Sequence, residues 1–236
     1  KTWTTMAQHA DMIFCLVRTK DEEIPQKGIS FLLIDMKSPG IDVKPIITID
    51  GPPAGFQEIN MVHFEDVKVP LVNLIGDEGK GWTYAKYLLT HERTAIAGVP
   101  QSKRAIERLK QIAAQEISAG KPLIEDEMFC AKLARIEVDL MALEYTELRA
   151  IASVADGGAP GPESSILKIR GTEIQQAVAE LSVEACGYYA HALGQGVGND
   201  YAAPISTKYL YGRAATIYGG SNEVQKNIIA KMVLGL

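Results

Sequence analysis

The hydrophobic pattern of the chain changes period near Gly76, and that change constrains the architecture more than any other feature. Ahead of it, residues 11–18 (DMIFCLVR), 29–36 (ISFLLIDM), 41–49 (IDVKPIITI) and 58–66 (EINMVHFED) are short runs rich in β-branched and aromatic residues. Turn material separates them at Pro25–Gly28, Ser38–Gly40 and Asp50–Gly55. Such runs predict antiparallel strands of a small sheet or partial barrel. The second run is apolar almost throughout and is expected to be a central strand. Beyond Gly76 come four long helical stretches, 80–116, 125–156, 164–193 and 206–234, split by Gly120–Pro122, Gly157–Pro162 and Gly194–Pro204. This pattern predicts a four-helix bundle. Pro100 falls inside the first stretch and should bend it or mark a boundary. The expected fold is α+β: a small antiparallel β domain over 1–76, then an all-α four-helix bundle over 77–236.

Composition matters here for what it excludes. The chain of 236 residues carries 24 Lys+Arg against 29 Asp+Glu, a net charge of −5. With no run of basic residues, neither nucleic acid nor an anionic membrane surface is an expected partner. No apolar run approaches the ~20 residues that cross a bilayer. The three cysteines (Cys15, Cys130, Cys186) and four histidines (His9, His63, His91, His191) are scattered, with no zinc-type spacing. No metal site is expected, and a cytoplasmic location with reduced thiols is.

Three segments can carry chemistry. Spacings of three and four along the first helical stretch collect Trp82, Ala85, Leu89, Glu92, Ile96 and Val99, so Glu92 occupies a slot in an apolar stripe. Burial there would disfavour the ionised carboxylate and raise its pKa, as a base working near neutrality requires. The alternative places Glu92 at the stripe's margin, paired with Arg93 or a basic group on another helix. In the second segment, Ile217 to Gln225 (IYGGSNEVQ), a Gly-Gly turn leads into an N-capping Ser or Asn and an amphipathic helix bearing Val224, Ile228, Ile229 and Met232. Free amides at a helix start beside residues without side chains can cradle a carbonyl oxygen or phosphate; an ordinary helix entry is the competing reading. In the third, Trp3 followed by threonines can stack on and hydrogen-bond a planar heterocycle, or serve as a core residue of a strand. Glu125, Asp126 and Glu127 read as a solvated helix start. Gly194-Gln195-Gly196-Val197-Gly198 follows a helix, not a strand, and so fails as a dinucleotide loop.

Taken in order, these segments resemble the acyl-CoA dehydrogenase family. Trp3-Thr4-Thr5 looks like the family's flavin-contacting Trp-x-Thr. Val69–Gly76 with Gly79-Lys80-Gly81-Trp82 resembles its junction into the C-terminal helices. Thr90-His91-Glu92-Arg93-Thr94 matches its first bundle helix, and Ala214–Lys231 is very close to its terminal signature. The resemblance covers essentially the whole chain. It implies that this chain, beginning at Lys1, corresponds to the C-terminal portion of a longer subunit, without the family's N-terminal helical domain.

The resemblance implies an oxidoreductase that removes the α proton of an acyl-CoA thioester with a carboxylate and passes the β hydride to FAD. Most members carry that carboxylate at the position of Gly219, and a minority at the position of Glu92, so Glu92 is the implied base. The Gly219 N–H takes the oxyanion-hole role. Trp3 and Thr5 fall beside the flavin ring, Ser221, Asn222 and Glu223 touch FAD, and Tyr218 and Arg93 line or brace the acyl-CoA site. Implied partners are the acyl-CoA substrate, an electron-transfer flavoprotein as acceptor, and further subunits, as a homo-oligomer or with a smaller paralogous subunit. The sequence departs from the family in two places. The usual Arg-x-x-Phe-Gly is replaced by Gln115–Pro122 (QEISAGKP), and the Gly-rich stretch of the third helix is reduced to Cys186-Gly187-Tyr188-Tyr189. Two alternatives stand beside this reading: a same-fold flavin oxidase or monooxygenase, and a non-catalytic partner subunit, for which these losses argue.

Overall fold

The computed structural model describes residues 1–51, 58–92, 97–155, 161–191 and 200–236, with the side chains of 90–92, 154 and 163 outside that description. Two compact units emerge: Lys1–Thr48 with Pro52–Thr90, and Ile49–Gly51 with His91–Leu236. The boundary by packing thus falls at Thr90, inside the first helix, whereas the change of hydrophobic period falls near Gly76.

In the first unit, β1 (Thr4–Thr5), β4 (Ile41–Pro45) and β5 (Ile59–Phe64) form one antiparallel sheet in the order β1-β5-β4. The strands β2 (Met12–Arg18) and β3 (Ile29–Asp35) pair with each other, from Met12 opposite Asp35 to Arg18 opposite Ile29. On β5, buried Asn60 and Val62 alternate with exposed Met61 and His63, the period of a strand with one covered face. The Asn60 amide donates to Gln8 Oε1 (2.6 Å) on the 3-10 segment Ala7–His9, so a buried polar group of the sheet is satisfied. Phe14 and Phe31 meet edge to face with ring centroids 5.5 Å apart.

One expectation fails here. The apolar run 29–36 is not a central strand: β3 has β2 on one side, and on the other, among the described residues, only a bridge from Leu32 to Leu74 and the Ile75 N–H donating to Phe31 O. The central place belongs to β5. Apolarity reports what covers a strand's faces, whereas centrality depends on backbone hydrogen bonds at its edges.

The glycines before α1 (Gly81–Glu92) serve close approach. The Gly79 N–H donates to Ser30 Oγ at 2.9 Å. A side chain at Gly81 would bring a Cβ to 2.5 Å from the Ser30 carbonyl carbon.

The second unit is the helical bundle. Its long members are α2 (Val99–Gln115), α3 (Glu127–Ala155) and α4 (Glu163–Cys186), with the shorter α5 (Ala203–Tyr211) and α6 (Asn222–Ile229) after them. Helix α4 packs against α2, α3, α5 and α6. The core around it includes Ile106, Leu109 and Ile112 of α2, Leu133, Leu140 and Leu143 of α3, and Leu167, Ile174 and Leu181 of α4. Between α2 and α3 the stretch that replaces the family's Arg-Phe-Gly motif forms a tight hairpin of β6 (Ile117–Ser118) and β7 (Lys121–Pro122). The acidic start of α3 is a cap: Asp126 Oδ1 accepts from the Phe129 N–H at 2.8 Å.

Two long helices of the expected bundle are broken. The stretch 80–116 divides into α1 and α2, and Pro100 stands in the first turn of α2, where its missing N–H is harmless. The stretch 206–234 is not one helix: α5 ends at Tyr211, a 3-10 segment covers Gly212–Thr216, α6 begins at Asn222, and a π-type turn spans Ala230–Leu234. The reason is the backbone at Gly219 (φ 64°) and Gly220 (φ 85°), both left-handed and incompatible with a continuing right-handed helix. No described helix is long and apolar enough to cross a membrane.

Candidate active site

The turn into α6 is built from its glycines outward. With Gly219 and Gly220 left-handed, the chain reverses and presents Ser221 as N-cap, its Oγ accepting from the Val224 N–H at 3.4 Å. Gly219 O accepts from Gln225 Nε2 at 3.2 Å, while no acceptor among the described residues takes the Gly219 N–H. That donor is available to a ligand carbonyl, as an oxyanion contact requires.

The remaining residues of the motif divide by direction. Asn222 is buried and turned inward, its Oδ1 accepting from Lys168 Nζ at 2.8 Å. Glu223 is exposed, and its carboxyl is held below the usual range by its own backbone N–H, by the Ser221 hydroxyl and by nearby Lys226. Tyr218 closes one side of a cleft of about 350 Å³ whose other walls come from α2 (Gln101, Ser102, Ala105) and α4 (Gln175, Val178). The Ser102 hydroxyl is buried there with no hydrogen-bond partner among the described residues.

The amphipathic reading of the last helix holds only in part: Ile228 and Ile229 are half-buried. Val224 and Met232 are exposed at 51% and 68%, and it is the polar Asn222 and Gln225 that are buried. Helix α4 decides this, because it offers α6 a buried polar face of Ser165, Lys168 and Thr172. No motif or spacing in the sequence singles out these three. A Lys set between apolar neighbours, Ile166 and Leu167 before it and Ile169 after it, is the one signal that could have flagged them.

Glu92 is the last residue of α1, and its side chain lies outside the described residues, as does all of Arg93. The stripe that motivated Glu92 is continuous in sequence but not in the fold. Ala85 is buried, Trp82 and Leu89 are 39% and 42% exposed, and Val99 opens the next helix. Ile96 and the Gly194–Gly198 segment also lie outside the described residues.

In the first unit Trp3 is 67% exposed and itself left-handed (φ 61°), with its indole free of core packing. Thr5 stands exposed on β1 opposite Ile59. An exposed indole with a threonine hydroxyl two residues on fits a planar ring system such as a flavin. Two of the three thiols are poor nucleophiles: burial pushes Cys15 up, and burial together with the Glu116 carboxylate pushes Cys186 up to about 11. The described residues contain no cluster of three or more His, Cys, Asp or Glu suited to a metal ion.

The profile described as "Acyl-CoA dehydrogenase, C-terminal domain" matches residues 79–234. The chain belongs to the acyl-CoA dehydrogenase family. Over its whole length it is 31% identical to acyl-CoA dehydrogenase IpdE1 of Mycobacterium tuberculosis, covering 58% of that protein. The acyl-CoA dehydrogenase of Geobacillus kaustophilus superposes with a TM-score of 0.87 at 28% identity, over 100% of this chain and 60% of that one. A chain of the ChsE4-ChsE5 complex from Mycobacterium tuberculosis gives a TM-score of 0.84 at 27% identity, over 99% and 59%. The chain therefore spans less than two thirds of the length of these acyl-CoA dehydrogenase relatives.

Proposed function

We propose that the protein acts in the FAD-dependent α,β-dehydrogenation of an acyl-CoA thioester, with Glu92 as the base. The observation that carries this reading is the left-handed Gly219–Gly220 turn at the capped start of α6, with its free Gly219 N–H, in a chain of this family. The thioester carbonyl accepts from the Gly219 N–H. That contact draws charge toward the oxygen and acidifies the α carbon. A carboxylate must then take the α proton. Gly219 has no side chain to supply one, so the reading assigns the task to Glu92 at the end of α1. Bound FAD would supply the acceptor for the hydride that leaves the β carbon. Trp3 and Thr5 offer the ring a stacking face and a hydroxyl. Ser221 and Glu223 offer polar groups at the α6 start, and Asn222 contributes through its backbone because its side chain is turned to Lys168. Tyr218 and Arg93 are assigned to the acyl-CoA side.

The same reading includes an electron-transfer flavoprotein as acceptor, a cytoplasmic location and an oligomeric enzyme. Val138, Met141, Tyr145 and Leu148 form an exposed apolar stripe on α3, at 65%, 59%, 64% and 53%, which supports contact with a further subunit. Likeness to a chain of the ChsE4-ChsE5 complex supports a hetero-oligomer as one form of it.

The test uses the full-length protein in its native assembly. Glu92→Gln should keep its FAD yet lose bleaching of the flavin by acyl-CoA under anaerobic conditions, and unchanged bleaching would remove Glu92 from the mechanism.

A further inference from the structure

The largest fully buried side chain in the described structure is a lysine. Lys168 on α4 has no carboxylate partner among the described residues; its Nζ donates to the neutral Oδ1 of Asn222 at 2.8 Å. Burial lowers its pKa from the usual lysine value, partly countered by the Glu223 charge. A buried ammonium facing the positive end of a helix is costly, and an apolar residue of equal volume would hold the bundle as well. The contribution of Lys168 must therefore be sought in geometry.

The geometry is specific. Ser165, Lys168 and Thr172 share one face of α4, and Asn222 and Gln225 share one face of α6. The Ser165 hydroxyl donates to Gln225 Oε1 at 2.8 Å, and the other end of that amide, Nε2, donates to Gly219 O at 3.2 Å. Thr172 Oγ1 backs Asn222 Oδ1 at 3.5 Å. Two consecutive glycines have no side chains of their own to limit rotation. The turn is thus held from outside, at Gly219 through Gln225 and at the first residue of α6 through Asn222.

We infer that Gln225 and Asn222, fixed by Ser165 and Lys168, are positioning residues for the oxyanion contact: α4 sets the direction in which the Gly219 N–H points. The inference rests on the function proposed above. Its consequence is that polar substitutions on α4, a helix that supplies no group to the reacting atoms, weaken polarisation of the substrate carbonyl.

The experiment uses the FAD-loaded full-length protein and an acyl-CoA whose β carbon carries no hydrogen, isotope-labelled at the thioester carbonyl. Two readouts are independent of turnover: the infrared carbonyl frequency of the bound thioester, and the rate at which its α hydrogens exchange with deuterated solvent. Gln225→Met, Lys168→Met and the milder Ser165→Ala should shift the carbonyl toward its free frequency. They should slow exchange by about 10- to 100-fold, a fraction of what loss of a whole oxyanion donor costs. Thioester affinity should stay within about threefold, because the contact strengthens as charge develops. A carbonyl frequency and exchange rate unchanged in Ser165→Ala and Gln225→Met would overturn the inference while leaving the function standing. If the parent protein itself neither shifts the carbonyl nor exchanges the α hydrogens, the proposed function fails and the positioning role falls with it.

Discussion

The amide of Gln225 occupies the space that a side chain on Gly220 would need: a Cβ there would stand 2.5 Å from Gln225 Nε2. The left-handed φ of 85° at Gly220 and the inward Gln225 are therefore two halves of one arrangement. Gly220→Ala should cost about 1–3 kcal/mol from the backbone conformation alone, and more once Gln225 is pushed off Gly219 O. Thermal unfolding should show a clear fall in Tm. An unchanged Tm would mean that the turn can open without loss.

Glycine at position 171 works in the opposite sense from ordinary helix statistics. In a helix interior, Gly→Ala normally stabilises by about 1 kcal/mol. Here the added Cβ would meet Ala97 O at 2.4 Å and Ala97 Cα at 2.8 Å, backbone atoms that cannot swing aside. Gly171→Ala should destabilise by about 1–3 kcal/mol or more through overpacking. Gly212→Ala is the control: its φ is −61° and no atom lies within 4 Å of the new Cβ, so a gain of about 0.4–1 kcal/mol is expected. Denaturant midpoints of the two variants should move in opposite directions.

Ser30 ties the entry to α1 to the β unit. Its fully buried hydroxyl accepts from the Gly79 N–H at 2.9 Å and bonds Thr19 Oγ1 at 2.7 Å. Ser30→Ala leaves both neighbours short of a partner and should cost about 1–3 kcal/mol. Amide hydrogen exchange at Gly79 should accelerate, and retained protection there would contradict this role.

Alkaline stability should report on Cys186, whose folded pKa of about 11 stands above the ordinary thiol value of 9.0. The thiol holds its proton more tightly in the folded state. Its contribution is therefore complete below pH 9 and is lost as the pH rises through 11. Between those limits Tm should fall more steeply in the parent than in Cys186→Ala, and parallel curves would show that the thiol is not the group responsible.

Much of this molecule was legible in the chain. The β-branched and aromatic runs before Gly76 became β2 to β5 within a few residues of their expected bounds, and the run at 125–156 became α3; the run at 164–193 became α4 only as far as Cys186, where the left-handed Gly187 (φ 53°) ends the α-helix. Hydrophobic period is a local property, set by which faces a segment must cover. The Gly-Gly-Ser-Asn turn and its Ser221 cap were legible for the same reason: left-handed backbone and a hydroxyl at a helix start are choices made within four residues.

What the chain did not disclose is everything decided by a partner element. Nothing near residues 29–36 says that β5, not β3, pairs with a strand on both edges. Nothing in Asn222–Ile229 says that its polar side turns inward, because the cause is Lys168 and Ser165, more than fifty residues away on α4. The sequence by itself determined the order of β and α segments, the capped glycine turn and the family. The tertiary structure alone decided which face of α6 is buried and what holds Gly219, because a buried amide or ammonium is tolerable only where another element brings its hydrogen-bond partner into place.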